Sequence, residues 1–167
     1  MLRSYKGKSP QIHPSAFVSE TAYIVGNVHI EANVSIWPGS VIRADSGHLI
    51  IGENSCIQDN STVHADRDAK IGPNVVIGHN VLCHADFVGE YVLIGSGAVV
   101  NGGTIGAYSV IGSGSVVLEG SNIPARSLVF GCPGRVAGSV QERHIELTNQ
   151  ILLTYIEKGK SFKDHGL

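Results

Sequence analysis

Aromatic residues are scarce in this chain, at 6%, and charged residues make up only 16%. The first argues against an ordinary helical globule built around large interior rings. The second, set beside 43% hydrophobic residues, argues for a folded apolar interior and against disorder. An excess of positive charge is also missing. The formal net charge is -2, so the basic footprint of a nucleic-acid binder is not there, and no nucleic-acid partner is expected. The three cysteines, Cys56, Cys83 and Cys132, are odd in number and irregular in spacing, which excludes a disulfide framework. The opening residues lack the apolar stretch of a signal peptide, and no run approaches the length of a membrane span. The expectation is a cytoplasmic protein with no membrane partner. What the chain has in quantity is Gly, at 21 residues, which suits many tight turns around a small cross-section. Its 167 residues fit one domain.

A repeat of six dominates the pattern. Ile12, Val18, Ile24, Ile30, Ile36 and Ile42 follow one another at steps of six, then Ile51, Ile57 and Val63, then Ile71, Ile77 and Cys83. Val88, Ile94 and Val100 continue it, followed by Ile105, Ile111, Val117, Ile123 and Val129. The residue after the aliphatic one is often Gly, as in Ile71-Gly72, Ile77-Gly78 and Ile94-Gly95, and the fifth is small or β-branched. A helix wants a period near 3.6 and an alternating strand a period of 2. A period of six with one inward aliphatic residue suits a short strand, a corner and another short strand. Three units close one triangular coil, and coils stack at about 4.8 Å. The pattern predicts an all-β, single-stranded parallel β-helix over 1–138, with its repeat core at 12–134. Two lengthened steps, Ala44–Leu49 and Ala65–Lys70, read as loops. Beyond 138 the period is lost. Ser139 with Glu142 predicts a helix start, and Val140, His144, Leu147, Ile151, Leu152 and Tyr155 form an apolar stripe. A C-terminal α-helix over 139–158, packed on the prism, and a tail over 159–167 are expected. Trp37 lies on an outward position and reads as subunit-interface packing.

If three units make a coil, every third unit shares a face. His64 and His84 then stand one above the other in a column that also holds Arg43 and Asn101. Two imidazoles so placed reach one ion, because Zn–N bonds are about 2 Å. His79 lies in the same coil as His84, on another face, and the convex corner points the two apart. One chain cannot easily bring all three to one metal. A homotrimer can, by setting the His64/His84 face of one copy against the His79 face of the next. Asp59 lies directly below His79, where its carboxylate accepts the second ring N–H of a ligand or meets Arg43 across the joint. His13, His29, His48, His144 and His165 read as surface residues, and Asp66 and Asp68 as solvated loop charges.

Three segments carry a family resemblance: Ser35-Ile36-Trp37-Pro38-Gly39-Ser40-Val41-Ile42-Arg43-Ala44-Asp45, Ile57-Gln58-Asp59-Asn60-Ser61-Thr62-Val63-His64, and Ile77-Gly78-His79-Asn80-Val81-Leu82-Cys83-His84. They resemble the γ-class carbonic anhydrases and their γ-carbonic-anhydrase-like relatives. The resemblance implies a left-handed hand for the β-helix and a Zn2+ site, with Co2+ or Fe2+ as other occupants, held by His64, His84 and a neighbour's His79. It implies reversible hydration of CO2 to bicarbonate by a metal-bound hydroxide at the trimer joints. Gln58 matches the residue that hydrogen-bonds the bound water, Arg43 and Asp45 match a pair near the subunit joint, and Tyr155 resembles a Tyr that approaches the site in some relatives. The chain departs from the type in two places. Only Ala65–Lys70 fill the position of a long acidic loop, and Cys56 stands where some members have Asn. The alternatives are a hexapeptide acyltransferase or thioesterase, and a metal-binding structural subunit without turnover.

Overall fold

The computed structural model describes residues 1–167 as a parallel β-solenoid closed on one side by a single helix. One face is made of the short strands Phe17–Val18, Ser35–Ile36, Cys56–Ile57, Val76–Ile77, Leu93–Ile94, Val110–Ile111 and Ser127–Phe130, paired in that order. A second face stacks the start of Val41–Ile51 under Thr62–His64, Leu82–Cys83, Val99–Val100 and Val116–Val117. The third stacks the end of Val41–Ile51 under Ala69–Ile71, Phe87–Val88, Thr104–Ile105 and Asn122–Ile123.

The repeat positions form the core. From Ile24 to Val129 every aliphatic step is buried, and Ile24, Ile36, Ile57, Ile77, Ile94 and Ile111 are fully enclosed. Only Ile12 and Val18, in the first coil, are partly open. Each enclosed side chain contributes roughly 1.5–3 kcal/mol. The fifth position is small because it lies inside the corner: the Ser40, Ser55 and Ser61 hydroxyls donate to the carbonyls of Gln58, Gly72 and Gly78 in the next coil at 3.0, 2.9 and 2.6 Å. A buried hydroxyl thus keeps its hydrogen bond, which a corner closed by Ala would not need.

The first lengthened step is not a loop. Val41–Ile51 is one continuous strand that crosses from the second face to the third and pairs with an equally continuous strand, Tyr23–Ile30. Gly26 makes this possible: its φ is +88°, and a Cβ there would lie 2.1 Å from the Ala44 carbonyl oxygen. The second lengthened step does leave the ladder, over 65–68.

The helix spans Glu142–Asp164, so it starts later and ends later than the stripe implied. Ser139 is not its cap. It closes the strand Arg135–Ser139, which pairs antiparallel with Ser127–Phe130. Gln141 caps the helix instead, its backbone N–H donating to His144 Nδ1 at 3.0 Å. Leu152 is buried, whereas Leu147 is 48% exposed and is no part of the stripe. The segment beyond 158 stays helical, and Gly159 lets that part of the helix lie close on Phe17 and Ser35. Phe162 then meets Trp37 edge-on at 5.0 Å. Trp37 is therefore spent inside the chain: it is 5% exposed, beneath Phe17, Tyr155 and Phe162.

Candidate metal centre

The column reading of the sequence is met residue by residue. Arg43 pairs with His64 in the ladder, and Cys83, beside His84, pairs with Val63, beside His64. The rings of His64 and His84 stack 4.8 Å apart, 11° from parallel. The strand spacing sets this distance, since equivalent residues of neighbouring coils cannot lie farther apart than the ladder allows.

Both rings turn Nε2 toward one carboxylate. Asp66 Oδ1 lies 3.2 Å from His64 Nε2, and Asp66 Oδ2 lies 3.1 Å from His84 Nε2. One donor atom from each of His64, Asp66 and His84 fits within a span of 4.8 Å. In sequence Asp66 reads as a solvated loop charge. The structure corrects that, because the loop turns back immediately after His64. The signal available was the spacing alone, His64-Ala65-Asp66, and it is too common to single out a site.

Arg43 and Asp45 sit at the foot of the column. The guanidinium is 3.3 Å from Asp45 Oδ2 and 3.2 Å from His64 Nδ1, while Asp45 Oδ1 is 3.2 Å from His64 Nε2. Arginine only donates, so His64 Nδ1 accepts and its Nε2 carries the proton toward Asp45 and Asp66. A backbone N–H bond, opposed in part by desolvation, holds the Asp45 carboxyl below its usual range, with His64 and Arg43 adding to the effect.

His79 stands apart from this cluster, as the corner geometry requires. Its Nδ1 is 3.0 Å from Asp59 Oδ2, and its Nε2 is 3.5 Å from the Tyr155 hydroxyl. Tyr155 rests edge-on against Trp37 at 5.1 Å, and burial, with Cys56 and Asp59 nearby, pushes its phenol up. Gln58 is 6% exposed. Arg43, Asp45, His64, Asp66 and His84 thus form one group, while Gln58, Asp59, His79 and Tyr155 form another at a different corner. A cleft of about 270 Å³ opens beside the first group, bounded by His64, Asp66, His84, Asn101 and Glu119.

A carbonic anhydrase from Geobacillus kaustophilus is 38% identical over 166 residues, covering 98% of this chain and 91% of that protein. The chain belongs to the γ-class carbonic anhydrase-like family. The mitochondrial γ carbonic anhydrase 1 of Arabidopsis thaliana is 39% identical over 85 residues, 46% of this chain and 31% of that one. The crystal structure of a hexapeptide transferase family protein from Anaplasma phagocytophilum superposes with a TM-score of 0.89 at 31% identity, covering 97% and 98% of the two chains. No family model matches the sequence. This chain shares its solenoid with the transferase relative and its sequence with proteins named carbonic anhydrases, so the fold alone does not choose between those chemistries. No helix is long and apolar enough to cross a membrane.

Proposed function

We propose that this chain is a metal-dependent carbonic anhydrase that interconverts CO2 and bicarbonate at sites shared between copies of a homotrimer. One observation carries the reading: His64 and His84 present parallel rings at one corner, while His79, oriented by Asp59, presents its ring at another. A neighbour's His79 completes a three-imidazole set that neither corner provides alone. The donor set fits a divalent ion, because imidazole nitrogens converge with a carboxylate in reach and an open side toward the cleft. Zn2+ is the preferred occupant, with Co2+ and Fe2+ also suited to imidazole. Such an ion brings the pKa of bound water to about 7, which is the chemistry that CO2 hydration needs.

The chain's own residues do the rest. Asp59 accepts the Nδ1 proton of His79 and so leaves Nε2 free to bind. His64 would hold the ion through Nε2, the nitrogen it turns toward Asp66, and Arg43, paired with Asp45 at 3.3 Å, would stay at the foot of the site as a fixed positive charge. Gln58, held in place by burial, offers an amide that orients water and donates to a developing bicarbonate oxygen. Tyr155 brings a hydroxyl that stays protonated at neutral pH to the His79 corner.

Metal content per chain and CO2 hydration by stopped flow test the reading together. About one ion per chain, with hydration lost in His64→Ala and His84→Ala, is the expected result. A metal-free protein after reconstitution with Zn2+, Co2+ and Fe2+ refutes it. Acyl transfer is the second reading. It rests on the Anaplasma relative and on a cleft larger than CO2 requires, and acetyl-CoA binding by calorimetry would favour it.

A further inference from the structure

We infer that each protomer takes its metal ion on its own, through His64, Asp66 and His84, before a neighbour contributes His79. This rests on the shared-site reading and adds a ligand and an order of assembly to it. Asp66 is 57% exposed, yet its loop is not free to wander. Arg67 is tied to Asp86 at 3.3 Å on one side. The His48 backbone N–H donates to Asp68 Oδ1 at 2.9 Å on the other. Underneath, Gly47 lets the backbone of Arg67 lie so close that a Cβ at 47 would come within 2.1 Å of it. A carboxylate placed by such anchors reaches an ion without the ordering cost of a flexible loop.

The placement is also specific. The two carboxylate oxygens divide between the two rings, one to each Nε2, so the three side chains surround one point from three sides. Two imidazoles and one carboxylate make a complete three-ligand set for zinc or ferrous iron, with positions left open. His79, on its distant corner, then arrives at an ion already held and need not create the site. Since binding that favours one state stabilises it by mass action, the loaded ion draws protomers together.

The test uses full-length protein, Zn2+ in competition with a colorimetric chelator, and the visible spectrum of the Co2+ form. His79→Ala, which removes only the neighbour's ligand, is expected to keep about one ion per chain. Asp66→Asn in that background should weaken Zn2+ binding by more than the roughly 10–100-fold that loss of an outer partner costs, and should change the Co2+ bands. Far-UV circular dichroism confirms the fold, and since both side chains sit at the surface of corners it should not move. Loss of metal from His79→Ala as complete as from His64→Ala, with wild type still loaded, overturns the inference and leaves the three-imidazole site intact. Equal binding by His79→Ala with and without Asp66→Asn also overturns it. Wild type that binds no ion at all removes the shared-site reading itself.

Discussion

The Nδ1 of His79 lies 3.0 Å from Oδ2 of Asp59, the residue one coil below it. A ring held this way presents one nitrogen outward in a fixed tautomer, which is what a ligand offered to another copy requires. Asp59→Ala should weaken metal binding by roughly 10–100-fold without changing the fold. Asp59→Asn, which keeps an acceptor, should lose less. Chelator competition on both variants checks this, and equal losses would show that the charge rather than the acceptor matters.

Trp37 and Tyr155 separate packing from chemistry on the same helix contact. Trp37→Ala empties a buried site among Phe17, Tyr155 and Phe162 and should cost about 3–5 kcal/mol. Tyr155→Phe keeps the ring against Trp37 and removes only the hydroxyl facing His79. It should leave the denaturant midpoint close to wild type and lower CO2 hydration. Urea unfolding and stopped-flow assays on both variants check the pair.

Two glycines with similar backbone angles should respond differently to a methyl group. Gly97 has φ +69° and nothing within 4 Å of a Cβ, so Gly97→Ala should cost only the left-handed conformation, about 1–2 kcal/mol. Gly26→Ala adds a collision with Ala44 and must displace the strand that crosses the corner. Its loss should be clearly larger, and thermal unfolding measures the difference.

Burial pushes the Cys56 thiol up to about 12 and the Cys83 thiol up to about 11, while Cys132 is exposed. A thiol-reactive probe should therefore label one cysteine in the native chain and three in denaturant. The unfolded thiols ionise near 8.5, below the folded ones. The contribution is complete below that value and is lost as pH rises through it toward the folded values. The slope is about 1.4 kcal/mol per pH unit for each thiol. Cys83→Val should flatten the fall in urea midpoint between pH 9 and 10.5.

The repeat made the coil, the core and the histidine columns legible because each aliphatic step has one inward residue and the ladder copies its position upward. His64 over Arg43, and His79 over Asp59, follow from that copying. Where the period breaks, the reading fails. The strand through Ala44 looked like a loop because its extra residues are absorbed by a partner strand that also crosses the corner. Trp37 reads in sequence as subunit-joint packing because an outward position does not say what covers it, and the helix covers it here. Ser139 carried a cap signal but belongs to the antiparallel strand, a contact with residue 127 that local spacing does not reveal. Asp66 does not stand out in sequence because its placement beside the column depends on anchoring by Gly47, His48 and Asp86, far along the chain.

The strand Arg135–Ser139 runs against every rung beneath it, and its residues are exposed. A column of parallel rungs is otherwise a template, since its last open edge would accept another chain in the same direction and continue without limit. A reversed last rung offers the wrong hydrogen-bond spacing for such growth on that face. End-to-end fibre growth is therefore stopped at this face, and the sides of the solenoid, which carry the histidines, are the surface left for contact.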